Sequence, residues 1–148
     1  MPEKIIEITL KPQYADAQAR GASHGLNLAG DVVITDCKSA HLYKLSGNAD
    51  PREAAQTLLC DPVTESWAAA PLLRPQKGWK RVEIWLKNSV TDVTGESVEE
   101  ALSSLVGACR VRCGEAYLFQ TDAKADALER AVFGTLANRM IHRVTVTG

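Results

Sequence analysis

Cysteine and histidine are the residue types here that most readily bind metals or act as nucleophiles. The chain has four cysteines and three histidines. Cys109 and Cys113 are spaced C-x3-C, which could be half of a metal site, but no second Cys or His pair completes the four ligands of structural zinc. A catalytic cysteine requires an activated thiolate beside a base. Cys37 and Cys109 lie in apolar, strand-like contexts, and Cys60 lies at a helix end beside Asp61, so a thiolate is not favoured. We interpret all four as reduced packing residues.

Motifs for phosphate, nucleotide or hydrolytic chemistry are also missing. The sequence contains no GxxxxGK[ST], GxGxxG, HExxH or GxSxG pattern. An ATP-dependent ligation would require a phosphate cradle and metal-binding carboxylates. We therefore assign no catalytic residues, no cofactor and no metal to this chain.

Composition narrows the class of protein further. Hydrophobic residues make up 45% and charged residues 24% of 148 residues, which is typical of a globular fold. The net charge of -1 gives no electrostatic reason to expect nucleic acid or an anionic membrane as a partner. No apolar run approaches the roughly 20 residues of a membrane helix, and no apolar signal core precedes the first strand-like segment. We expect a cytoplasmic protein.

An internal repeat organises the sequence. Residues 4–11 and 80–87 share five of eight residues at an offset of 76, and Asp16 matches Asp92 at the same offset. Two later stretches align in the same order, 38–43 with 112–117 at an offset of 74, and 59–63 with 136–140. The sequence therefore predicts copy one at 1–68, a linker at 69–79 rich in Pro and Gly, and copy two at 80–148.

Each copy is predicted to follow the order β-α-β-β-α-β. Residues 4–11 and 80–87 alternate apolar and polar side chains, as strands with one buried face do. In copy one, two short strands are predicted at Val32 to Cys37 and Leu42 to Leu45, or else one strand with a bend near Ala40. In copy two, the same alternatives apply to 109–113 and 116–119, with the bend near Gly114.

Helix signals follow each first strand and each middle strand segment. Asp50-Pro51 marks a helix start, and Ser97 with Glu100 suggests a capping box for the first helix of copy two. Each copy has about 70 residues, a size at which a lone core is marginal. We therefore expect an α+β fold in which the copies pack around a pseudo-two-fold axis, with an antiparallel-rich sheet and helices on one face.

Both copies resemble the PurS family. PurS chains show a first strand ending in Leu-Lys, then Asp-Pro-x-Gly, then Val-Arg-x-Gly-Lys-x-Tyr, and finally Leu-Leu-Ala-Asn-Pro-Val-Ile-Glu. Copy one is similar at 10–11, Asp16, 37–43 and 58–65, and copy two at 86–87, 92–95, 111–117 and 136–138. The departures include His41 and Glu115, which stand where the family has Lys.

The resemblance implies a function in assembly. PurS-like proteins form dimers that bridge the glutaminase and the ATP-dependent synthetase subunits of phosphoribosylformylglycinamidine synthase, in de novo purine biosynthesis. The expected partners are those two subunits, and further self-association stays open. The alternative is a stand-alone ferredoxin-like regulatory module that binds a small metabolite between the copies.

Candidate partner-contact residues lie mainly on the middle strands. Arg110 and Arg112 project from one strand face and Lys38 is the copy-one equivalent of Arg112, so they are candidates for contacts to the large subunit or across the copies. Trp85 occupies the outward, polar-side position of its strand, where an exposed ring would suit a partner, and where covering by a helix or by the linker is the alternative. The PurS-like strand motifs add the remaining candidates: His41, Tyr43, Gly114 and Tyr117.

Overall fold

The computed structural model describes residues 3–148 and contains a mixed α+β fold with four helices and one six-stranded sheet. The first half contributes β1 (Lys4–Leu10), α1 (Ala17–Ala29), β2 (Asp36–Gly47), α2 (Pro51–Ala54) continued by a π-helical turn (Ala55–Leu59), and β3 (Glu65–Ala68). The second half contributes β4 (Trp79–Leu86), α3 (Val93–Val106), β5 (Cys109–Gln120), α4 (Ala125–Thr135) and β6 (His142–Thr147). The strand order is β3-β1-β2-β5-β4-β6.

The strand pairs are antiparallel where β1 meets β2 and β3, and where β4 meets β6. Ile6 and Ile8 of β1 and Val82 and Ile84 of β4 face the cores, as the alternating pattern predicts. The predicted α+β class is therefore confirmed.

Each middle segment is one strand of 12 residues, which was one of the two predicted alternatives. The predicted strand at Val32 to Cys37 is wrong in its first part, because β2 begins only at Asp36. Residues 32–35 form a loop whose backbone is bound by a side chain: Asn27 donates to the Ile34 carbonyl at 2.9 Å and accepts from the Ile34 N–H at 2.6 Å. Val32 and Ile34 are nevertheless buried.

The helix starts follow their capping residues. Asp50 caps α2 by accepting a hydrogen bond from the Arg52 N–H, with Pro51 in the first turn, as predicted. The predicted capping box at Ser97 and Glu100 is wrong, because α3 begins at Val93 and Asp92 is its cap. Ser97 lies inside that helix and donates to the carbonyl of the residue four positions earlier.

The first compact unit combines residues of both halves of the sequence. It contains the chain up to Ala15, His41–Leu72 and Thr91–Gly114. Its core joins apolar residues of β1, β2 and the α2 region to residues of α3 and β5: Ile6, Ile8, Leu45, Ala54, Leu59, Leu102, Val111.

The second compact unit contains Asp16–Ala40, Leu73–Val90 and Glu115–Gly148. Its core joins residues of α1 and the following loop to residues of β4, β5 and α4: Ala22, Leu26, Ile34, Val82, Ile84, Phe119, Leu128, Val132. Gly25 allows close packing of α1 and α4, since a Cβ there would lie 3.0 Å from a methyl carbon of Thr135. Neither unit coincides with a predicted copy, because each unit contains residues of both halves of the sequence.

Candidate partner interface

Three of the eight predicted contact residues are exposed. Lys38 projects from β2, and its ammonium nitrogen lies 5.8 Å from the centre of the Trp79 ring, within the range of a cation–π contact. His41 is exposed further along the same strand. Arg110 is exposed near the start of β5. These are the predicted residues that a partner could reach directly.

Arg112, Gly114 and Tyr43 are half-buried. Arg110 and Arg112 flank the buried Val111 and so share one face of β5, whereas Tyr43 packs against the core on the other face. Burial raises the pKa of Tyr43, and nearby Cys113 and Glu65 add to the shift. Within the first unit, the two arginines and Tyr43 therefore lie on opposite faces.

Of the two alternatives for Trp85, an exposed ring or a covered one, the structure has the covered ring. Its side chain does point away from the core on β4, but it is only 8% exposed, and its indole N–H donates to a Glu83 carboxylate oxygen at 2.9 Å. Arg81, on the same face, donates to the other Glu83 oxygen at 3.1 Å and to the carbonyl of Leu73 at 3.0 Å. Leu73 belongs to the predicted linker and is itself buried, so the linker lies against this face.

Tyr117 is also buried, in the second core, where its ring stacks on Phe119 with centroids 5.5 Å apart. Its hydroxyl donates to Glu115 at 3.0 Å and accepts from Gln18 at 3.2 Å. Burial raises the pKa of the Tyr117 phenol, an effect that the Gln18 hydrogen bond opposes and Glu115 supports. A role as an exposed partner contact is not available to this ring.

The cysteine environments work against a nucleophilic role. Burial raises the pKa of Cys37, with Asp16 and Asp36 adding to it, and burial with Asp92 raises the pKa of Cys113 to about 12. Burial also raises the pKa of Cys60. These three thiols stay protonated near neutral pH, and a thiol is a poor nucleophile.

Two features missed by the sequence patterns recur at equivalent positions of the two halves. The first is an aspartate that joins a helix start to a distant strand. Asp16 accepts from the Ala19 N–H at 2.9 Å and from the Ser39 N–H at 2.8 Å. Asp92 accepts from the Gly95 N–H and from the Cys113 N–H, both at 2.8 Å.

The second recurring feature is a pair of turn loops, residues 61–65 and 138–142. Asp61 accepts from the Val63 N–H at 2.9 Å, and Asn138 accepts from the Met140 N–H at 2.8 Å. The backbone N–H groups of Asp61 and Asn138 in turn donate to a side chain four residues on, a carboxylate oxygen of Glu65 and Nδ1 of His142, both at 2.9 Å. The loops thus share an Asx turn and present one exposed apolar side chain each.

Those side chains, Val63 and Met140, are 66% and 82% exposed. The loop 61–65 coincides with the last part of the PurS-like motif, whose order Asn-Pro-Val-Ile-Glu is matched by Asp-Pro-Val-Thr-Glu. The alignment of 59–63 with 136–140 was the sequence signal that could have pointed to this feature. Exposed apolar tips held by a fixed turn are suited to protein contacts.

Other kinds of site find little support in the part of the chain that the structure describes. Within residues 3–148, no group of three or more His, Cys, Asp or Glu side chains is placed to hold a metal ion. Over the same residues, no helix combines the length and the apolar character that a membrane span requires.

A comparison with protein families finds a match to the second half of the sequence. The model of the PurS family, described as phosphoribosylformylglycinamidine (FGAM) synthase, matches residues 80–148. No curated protein matches the chain. The family match begins and ends at the limits predicted for copy two. Residues 80–148 are therefore similar to the PurS family of phosphoribosylformylglycinamidine synthase.

Proposed function

We propose that the chain is a fused pair of PurS-like copies that acts as a cytoplasmic, non-catalytic assembly subunit of FGAM synthase. In this function it bridges the glutaminase and the ATP-dependent synthetase subunits. The observation that carries the proposal is the PurS match over residues 80–148. The missing catalytic motifs agree with it, because the ligase chemistry would then lie on the partner chains.

The assignment of a second copy to residues 1–68 is part of the proposal. It is supported by the paired hydrogen bonds of Asp16 and Asp92 and by the two matching turn loops. Side chains from both halves fill each core, as expected of subunits that fold around one another. The proposed arrangement is a covalent equivalent of a homodimer with a pseudo-two-fold axis.

Reconstitution of the enzyme from separately purified subunits tests this function. We expect the chain to co-purify with the synthetase and the glutaminase, and to be required for activity with glutamine. Activity with ammonia, which bypasses the glutaminase, should depend on it less. Glutamine-dependent activity that is unchanged when this chain is omitted would disprove the proposal.

Substitutions test which surface of the chain binds the partner subunits. Double substitution of Arg110 and Arg112 by Ala should weaken capture of the synthetase, with Arg130→Ala of α4 as the matched control because that arginine is exposed and lies outside the predicted set. Replacing Val63 and Met140 by Ser tests the turn loops in the same assay. If neither set weakens capture, the partners bind elsewhere on the chain.

A second candidate function is a regulatory module that binds a small metabolite. It is favoured by two open clefts, of about 630 Å³ in the first unit and about 520 Å³ in the second. Each is lined from both halves of the sequence, and residues 46–48 of one correspond to 120–122 of the other at the offset of 74. A large thermal shift with a nucleotide or amino acid, without any protein partner, would favour this function.

A further inference from the structure

Strand β6 ends the sheet and has an open edge. It pairs with β4 without interruption over six residues, from His142 to Thr147, and among residues 3–148 no strand follows it in the sheet order. The opposite end of the sheet is β3, which has only four residues. Short edge strands are one way in which proteins avoid pairing with other chains, and β6 lacks that protection.

The backbone groups that face outward can be identified. The Lys87 N–H donates to the carbonyl of Ile141 at 2.8 Å, and the adjoining pair is Leu86 with His142. In an antiparallel pair, the N–H and C=O groups of successive residues point alternately toward the neighbouring strand and away from it. Every second residue from Ile141 onward therefore forms hydrogen bonds with β4. The N–H and C=O groups of Val144 and Val146 then face the open edge.

The side chains of β6 are also compatible with pairing to an added strand. Val144 and Val146 are half-buried at the rim of the second core, so an added strand would cover them further. Arg143, Thr145 and Thr147 are exposed on the other face. The strand contains no proline and no charged side chain that points toward the core, which are common protections of an edge.

We propose that β6 is a self-association surface that pairs antiparallel with β6 of a second copy of this chain, around a two-fold axis at Thr145. In this register Val144 lies opposite Val146 of the second copy, and each such pair exchanges both of its hydrogen bonds. Arg143 lies opposite Thr147, so the arginines of the two copies do not face each other. The facing threonines at the axis form a favourable cross-strand pair.

Sedimentation velocity over a range of concentrations tests the proposal. The wild-type protein should approach twice the chain mass of 16.0 kDa as its concentration rises. Thr145→Lys places like charges opposite each other and should weaken association at least about tenfold. Val144→Pro removes two outward hydrogen bonds per dimer and should weaken it on the order of thirtyfold, while an outward proline is tolerated in an edge strand.

The controls make the register falsifiable. Ser66→Lys changes an exposed residue of the other edge strand, β3, and should leave association unchanged. Mixing the Thr145→Lys and Thr145→Glu variants should restore the dimer, because opposite charges then meet at the axis. The proposal is overturned if the wild-type protein stays at a single chain mass, or if a dimer forms that Thr145→Lys and Val144→Pro leave intact. Circular dichroism verifies that each variant is folded.

Discussion

Removing the carboxylate of Asp92 should destabilise the protein strongly, because this buried acid links a helix start to a strand. Asp92 is 5% exposed and holds two backbone N–H groups, that of Gly95 in the first turn of α3 and that of Cys113 in β5. Losing a helix cap costs about 0.5 to 2 kcal/mol. Leaving the strand N–H without its acceptor costs about 1 to 3 kcal/mol more. We therefore expect Asp92→Ala to lower the free energy of unfolding by about 1.5 to 5 kcal/mol.

Urea unfolding followed by circular dichroism measures this loss as a lower midpoint with an unchanged slope. Asp92→Asn keeps one acceptor oxygen but turns its amide toward the second N–H, so it should cost roughly half as much. Asp126→Ala is the control, because Asp126 also lies in a first helical turn but is exposed, and its ion pair with Arg130 at 3.7 Å is solvent-accessible. Its loss should be below about 0.5 kcal/mol. Equal effects of Asp92→Ala and Asp126→Ala would refute the double-anchor reasoning.

Three further predictions concern packing and protonation. Gly95→Ala should destabilise the fold by about 1 to 3 kcal/mol in urea unfolding, despite the better helix propensity of Ala, because its Cβ would lie 2.7 Å from the carbonyl oxygen of Val111. Iodoacetamide should alkylate Cys113 at pH 8 roughly a thousandfold more slowly in the native protein than in urea, by mass spectrometry, since its thiol pKa rises from 9.0 to about 12; equal rates would contradict this. Hydrogen bonds from Val63 and Thr64 lower the pKa of Asp61 from its ordinary 3.8, so its support of the turn is complete above pH 3.8 and is lost as the pH falls through the lower native value. A carbon-13 NMR titration of Asp61 with a midpoint at or above 3.8 would disprove that.

The local patterns of the sequence were sufficient for most elements. Alternation placed β1 and β4, and Asp50-Pro51 placed the start of α2, because both signals act within a few residues. The start of β2 was misplaced because Val32 and Ile34 are buried and look like strand residues. Their backbone is bound by Asn27 instead, and a side chain that replaces a sheet partner leaves no periodic signal.

Contacts between distant residues account for the errors at the candidate site. Alternation put Trp85 on the correct, outward face, but it could not show that the linker covers that face. Asp92 was overlooked as the cap of α3 because Val93 and Thr94 are β-branched, and Ser97 with Glu100 offered a better local match. Asp92 also accepts a hydrogen bond from the N–H of Cys113, which is 21 residues away. No helical or strand periodicity relates residues that far apart in the sequence.

The similarity of residues 4–11 to 80–87 is visible in the sequence, whereas the packing of the two halves is not. The apolar face of a helix or strand can be recognised from residues close together in the sequence. The residues that cover that face are determined by the tertiary structure. In the first unit, Leu102 and Val111 of the second half complete a core begun by Ile6 and Ile8. A half taken alone would expose those surfaces, so it needs a second half, in the same chain or in another. The PurS family model matches residues 80–148, whereas both cores combine residues of this segment with residues of the first half.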